Sequence, residues 1–152
     1  MPLLKRLGRV TQLNGVADLL INEDGGDRTY QLQQGDSGKV FYVEQDDNVI
    51  SIYLPMAVDA GAGWHINIIV RAIHADENVI VYNHDSEAAH NIHGIIFSHA
   101  SNYGEVSNGT ARNSVVMQAD DTVIGDRLEI FCDGTVFYCY GWSVDDGSMA
   151  FG

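Results

Sequence analysis

Long apolar runs are missing from this chain. No stretch approaches the roughly 20 apolar residues of a membrane-spanning helix. The opening MPLLKRLGRV also lacks the apolar core, about 7 to 15 residues long, of a secretory signal. No membrane partner is expected, and the product is expected to be made in the cytosol without export by the usual route. Basic residues are scarce as well: eight Lys and Arg stand against 21 Asp and Glu, a formal net charge of −13. A surface of that sign repels a phosphate backbone, so nucleic acid is not an expected partner. Proline occurs twice and glycine 16 times, as suits many tight turns between short elements. No window keeps a 3.6-residue apolar period over three turns, and no repeat of about 20 to 50 residues recurs.

What is present is alternation. At 152 residues, 45% hydrophobic and 19% charged, the chain can bury one full core and no more. Strand patterns succeed one another at Thr29–Gln33, Val40–Glu44, Val49–Leu54, Trp64–Ile73, Val79–Tyr82, Ile92–Phe97 and Ser114–Met117. Between them lie turn clusters such as Gly35-Asp36-Ser37-Gly38 and Asp46-Asp47-Asn48. Residues 14–27 read as loop or short edge strand, Met56–Gly63 as a small-residue loop, and Ser98–Asn113 as a long exposed loop. The fold class predicted is all-β: a single-domain β-sandwich of jelly-roll type with about ten short strands and no significant helix. The domain is placed at 16–152, behind a basic N-terminal arm at 1–15 that holds Lys5, Arg6 and Arg9, three of the eight cations.

The clearest local signal is GDRLEIFCDGTVFYCYGWSV, residues 125–144. With Asp133-Gly134 at the tip of a type I′ turn, Cys132 is expected to face Thr135, Ile130 to face Phe137, and Leu128 to face Cys139. The opposite face then carries Arg127, Glu129, Phe131, Val136, Tyr138 and Tyr140, a mixture of charge and aromatic surface suited to a half-exposed sheet or a subunit contact. In this register Cys139 lies four residues along from Cys132, or roughly 13 Å, too far for a disulfide. The only two cysteines are therefore expected to be buried thiols that act as small hydrophobes.

Motifs for chemistry are weak. Gly35-Asp36-Ser37-Gly38 matches the sequence around the nucleophile of trypsin-like proteases, but the first histidine, His65, follows the serine instead of preceding it, so a turn is the better reading. His84, His90, His93 and His99 cluster with Asp85 and Glu87, yet no His-x-His pair exists, and His90 and His93 fall on opposite faces of any strand. The acidic pairs Asp46-Asp47, Asp120-Asp121 and Asp145-Asp146 sit at turns without the ligand spacing of a calcium loop. No phosphate loop or dinucleotide fingerprint appears. The chain is expected to be no enzyme, with no catalytic residue, metal or cofactor.

Several short motifs do recur together. They are a Tyr-x-Leu strand followed by Asp36-Ser37-Gly38-Lys39, a strand ending Tyr53-Leu54-Pro55, Gly63-Trp64, Ile92-x-Gly94, and Gly125-Asp126 leading to Cys132-Asp133-Gly134-Thr135 and Tyr138-x-Tyr140-Gly141. In these, roughly residues 30–144 resemble small jelly-roll structural proteins of tailed, especially marine, bacteriophages. The resemblance implies a structural virion protein. The first expectation is a capsid decoration, or cement, protein on the capsid exterior, assembled in host cytoplasm. Its partners would be the major capsid protein and its own copies in a homotrimer. Leu3, Leu4, Lys5, Arg6 and Arg9 would bind an acidic shell or a neighbouring subunit, and Phe131, Val136, Tyr138 and Tyr140 would form the oligomer interface. The alternatives are a tail or fibre component, or a carbohydrate-binding module that uses exposed aromatics such as Tyr103 and Trp142 for host glycans.

Overall fold

A computed structural model describes residues 20–22, 26–45, 47–72, 76–84, 91–100, 103–106 and 112–152. Leu3, Leu4, Lys5, Arg6 and Arg9 of the arm lie outside them, as do His90, Asp85 and Glu87. In chain order the strands are β1 (Leu20–Asn22), β2 (Arg28–Gln31), β3 (Val40–Glu44), β4 (Ile50–Tyr53), β5 (Ala62–Val70), β6 (Val79–Tyr82) and β7 (Ile92–Ser98). These are followed by β8 (Tyr103–Val106), β9 (Ser114–Met117), β10 (Arg127–Asp133), β11 (Phe137–Ser143) and β12 (Met149–Phe151). A single helical turn, α1 (Ala57–Ala60), interrupts what the sequence reads as loop. Two sheets form, in the orders β1-β3-β5-β10-β11-β7-β8 and β12-β9-β6-β4-β2.

The all-β, two-sheet sandwich is as expected. Its wiring departs from the antiparallel wiring of a jelly roll. From β1 to β7 the chain alternates sheets strand by strand, and β1, β3 and β5 pair parallel, as do β2, β4 and β6. Each crossover that a parallel pair requires is made through the opposite sheet, so the first half winds as a coil that adds one strand to each layer per turn. The β10–β11 hairpin then inserts between β5, which it meets antiparallel, and β7, which it meets parallel. The outer face of this hairpin is therefore central in its sheet.

Alternation builds the core. On β5 the inward row Trp64, Ile66, Ile68 and Val70 is buried, and it meets Ile50, Ile52, Val79, Val81, Val115 and Met117 from the other sheet. Each of these side chains, fully buried, contributes about 1.5–3 kcal/mol of transfer free energy. Trp64 packs edge-on against Phe137 at 5.8 Å between ring centroids. Its indole N–H donates to Gln33 O at 3.1 Å, which satisfies the ring's single polar group.

Two further expectations are corrected. The hairpin register is two residues away from the one predicted: Cys132 pairs with Phe137, Ile130 with Cys139 and Leu128 with Gly141. Asp133 is a flank of the turn, not its tip. Its N–H donates to Val136 O at 3.2 Å, and its Oδ1 accepts the N–H groups of Thr135 and Val136 at 2.8 and 2.9 Å, which leaves Gly134-Thr135 at the tip with Gly134 at φ +94°. A shift of two preserves the faces, so both cysteines still point inward. They are free and buried, although the register now separates them by two residues along the strand instead of four. The second correction concerns 98–113, where β8 pairs antiparallel with β7 inside the expected loop. β12, which the alternation did not reveal, closes the far edge of the smaller sheet against β9.

Candidate functional site

Across the middle of the seven-stranded sheet, the outward rows of four strands bring aromatic and imidazole rings together. Pairing places His65 on β5 opposite Phe131 on β10, Phe131 opposite Tyr138 on β11, and Tyr138 beside His93 on β7. The rings touch. His65 stacks on Phe131 with centroids 6.2 Å apart, His93 lies 6.4 Å from Tyr138, Phe131 meets Tyr140 edge-on at 6.2 Å, and Tyr140 lies 6.4 Å from Trp142. Arg127 caps this row, its guanidinium 4.5 Å from the centre of the Trp142 ring in a cation–π contact.

The face is built by the pleat: Leu128, Ile130 and Cys132 go into the core, so Arg127, Glu129 and Phe131 must face out. Phe131, Tyr138 and Tyr140 are each 40% exposed, and Phe97 at the end of β7 is 48% exposed. These rings, with Glu129 paired opposite Tyr140, make a mixed aromatic and charged surface on a central sheet face, and exposed apolar groups gathered in this way are typical of contact sites. At the hairpin end, Tyr138 Oη donates to Asp133 Oδ2 at 3.1 Å. Hydrogen bonds from the backbone N–H groups of Val136 and Thr135 hold the Asp133 carboxyl below its ordinary value, and this acid in turn raises the Tyr138 phenol.

Three of the four expected interface residues, Phe131, Tyr138 and Tyr140, lie on this face. The fourth, Val136, is half-buried at the turn, where its backbone anchors Asp133. His65 and His93 complete the surface, with Phe97 beyond it at the end of β7, and were not singled out as part of it. Their outward placement follows from the same period-two rule on β5 and β7, once those strands are known to flank the hairpin. Of the two glycan candidates, the Tyr103 side chain lies outside the described residues. Trp142 pairs with Phe97 on β7, and Tyr103 pairs with Ser98, the next residue along that strand.

At the end of the same sheet is an open pocket of about 340 Å³ lined by Phe97, His99, Gly125, Asp126, Trp142 and Val144. Behind it the Asp126 side chain, 1% exposed, joins two segments: Oδ1 accepts the Val144 N–H at 2.9 Å and Oδ2 accepts the Val123 N–H at 3.2 Å. Burial pushes this carboxyl above its ordinary value, the two backbone hydrogen bonds oppose that shift, and the nearby Asp145 charge adds to it. A second groove, lined by Gln31, Gln33, Gln34, Met56, Asp59 and His84, opens beside α1. The Gly35–Gly38 motif sits next to it as a turn: Asp36 accepts the Gln33 N–H at 2.7 Å and the Lys39 ammonium at 2.6 Å. Ser37 Oγ accepts the backbone N–H of His65, while that imidazole's Nδ1 lies 3.0 Å from Gly63 O.

Compared with family models, curated proteins and solved structures, the chain matches none.

Proposed function

We propose that the chain is a structural virion protein, a capsid decoration protein of the tailed-phage type, whose copies associate through the outer face of the seven-stranded sheet. The observation that carries this reading is the run of touching, partly exposed rings His65, Phe131 and Tyr140 in the middle of that face. Packing them against a second copy removes apolar surface from water, and a repeating shell offers symmetric positions for such an assembly. The acidic composition supports the same reading, since a net charge of −13 keeps the protein off packaged nucleic acid.

The test combines light scattering with co-sedimentation on shells of the cognate phage made without this protein. The wild type is expected to scatter as a trimer and to sediment with the shells. Phe131→Ser with Tyr140→Ser is expected to give monomers, because buried aromatic anchors in an interface each cost about 2 kcal/mol or more when removed. A wild-type monomer would overturn the association, and failure to sediment would overturn the decoration role. Binding to a glycan array that is lost with Tyr140→Ser would replace this reading with the carbohydrate-binding one.

A further inference from the structure

We propose that the pocket formed by Phe97, Trp142 and Val144 receives the basic, apolar segment Leu3–Val10 of a neighbouring copy, so that the copies are tied by exchanged arms. The inference rests on the reading that the protein is a homo-oligomer, and it names what fills the end of the sheet that the aromatic face leaves open.

Three observations point to this occupant. The pocket has apolar walls that no described residue covers: Phe97 and Val144 are each 48% exposed, and Ile124, beside Gly125 of the lining, is 64% exposed. Its rim is acidic, with Asp145 and Asp146 exposed directly after Val144. One guanidinium stands beside it, that of Arg127 over Trp142, against these two carboxylates. The chain also contains one segment complementary to such a pocket. Lys5, Arg6 and Arg9 are interleaved with Leu3, Leu4, Leu7 and Val10, whereas the remaining cations, Arg28, Lys39, Arg71, Arg112 and Arg127, occur singly. Of these, Lys39 and Arg71 are paired with Asp36 and Glu44. Leucines would fill the apolar walls while the cations meet the acidic rim, a combination of burial and charge that sets register as well as affinity.

The strand register favours a neighbour's arm over the chain's own. Leu20 pairs with Tyr42, Tyr42 with Ile69, Ile69 with Arg127, Arg127 with Trp142, and Trp142 with Phe97. Leu20, the first described residue, thus lies level with the pocket but five strand spacings away, about 24 Å, and in the proposed assembly the outer aromatic face between them is occupied by another copy.

The experiment mixes full-length Leu4→Cys protein with full-length Val144→Cys protein under mild oxidation and follows the covalent pair. Cys132 and Cys139 are buried and should not compete. Seating the arm raises the effective concentration of the two new thiols. Pairing is therefore expected at least about tenfold faster than between Leu4→Cys and Val58→Cys, an exposed control position within α1. Adding Lys5→Glu, Arg6→Glu and Arg9→Glu to the arm should return the rate to that of the control. Pairing at the control rate overturns the proposal. So does a bond that forms only within one chain when both cysteines are on it, since the arm would then serve its own pocket. Light scattering on the unmodified protein keeps the two claims apart: an oligomer whose arm does not pair refutes the arm's placement alone, and a monomer refutes the oligomer.

Discussion

Asp126 is the residue whose removal the structure prices most directly. It is buried, and its two carboxylate oxygens hold the N–H groups of Val123 and Val144 at 3.2 and 2.9 Å, which fastens the loop before β10 to the chain leaving β11. Asp126→Ala strands both donors. An unsatisfied buried N–H costs about 1–3 kcal/mol, but the adjoining pocket admits water, which favours the lower half of the range, so a loss of about 3 kcal/mol in all is expected. Asp126→Asn keeps one acceptor and turns an amide N–H₂ toward the other donor. It also removes a charge whose burial is unfavourable, and the two effects offset in part, leaving about 1 kcal/mol of destabilisation at pH 7.

The pH dependence follows from the same burial. The folded-state pKa of Asp126 is raised above its ordinary value, mainly by burial, so the native state binds the proton more tightly than the unfolded chain does. The penalty for ionised Asp126 is present at neutral pH. It is relieved as pH falls through the folded pKa and is fully relieved below the unfolded one. Urea denaturation of wild type, Asp126→Ala and Asp126→Asn at pH 7 and at about pH 4 would measure both effects. The stability of the wild type relative to Asp126→Asn should increase on acidification. An Asp126→Ala protein within about 0.5 kcal/mol of wild type, the ordinary range for surface substitutions, would refute the assigned bonds. A gap between wild type and Asp126→Asn that shrinks on acidification would refute the sign.

Two other substitutions or probes test the sheet itself. A Cβ on Gly94 would stand 1.9 Å from Cys139 O and 2.7 Å from its sulfur. Gly94→Ala is therefore expected to force β7 from β11 and cost about 3 kcal/mol or more, while Gly35→Ala, which meets open space, should shift the urea midpoint little; equal midpoints for the two would contradict the register of that parallel pair. Burial pushes the Cys139 thiol up to about 12, and both thiols lie inside the core, so a thiol reagent at pH 8 should titrate none in the native protein and two after denaturation without reductant, and a rapidly reacting native thiol would contradict the inward face of the hairpin.

How far the sequence could be read depended on which physical signal each feature leaves in it. Inward and outward rows leave a strong one, because a period of two is imposed on every strand with a buried face. That is why the inward sets of β4, β5 and the hairpin, and Phe131, Tyr138 and Tyr140 opposite them, were legible. Strand direction leaves none. Val40–Glu44 and Val79–Tyr82 alternate identically whether their neighbours run parallel or antiparallel. The coil of alternating sheets was therefore hidden, and many short strands suggested antiparallel wiring. The turn misled for a different reason. Asp-Gly is a strong hairpin tip, but here the Asp133 side chain accepts the two following N–H groups and moves the tip one residue on.

The same distinction explains what was missed at the site. Aromatic residues such as Tyr103 and Trp142 can be counted in a sequence, whereas the pairing of both their strands with β7 joins segments some 40 residues apart and leaves no local signal. Asp126 is visible in the sequence only as part of the Gly125-Asp126 motif, where an acid after glycine reads as turn chemistry, and only the folded structure shows it buried with two backbone donors. The aromatic face was half-visible, since its hairpin members were in view and its histidine flanks depended on which strands the hairpin enters between. That insertion also gives the face its meaning. Were the hairpin at a sheet edge, its open backbone groups would invite strand addition. Placed between β5 and β7 its backbone is paired on both sides, apart from an irregularity between Phe131 and Asp133 against β5, so what it offers a partner is side-chain surface: rings, two imidazoles, one guanidinium and the Glu129 carboxylate. Association through such a face is governed by ring packing and apolar burial, and should respond to Phe131 and Tyr140 far more than to salt. Engagement of the basic arm should respond in the opposite way. Raising the salt to about 1 M, where screening acts within roughly 3 Å, should therefore slow the arm's cross-linking and leave the oligomer intact in scattering; loss of both together would mean that charge, not the aromatic face, holds the copies.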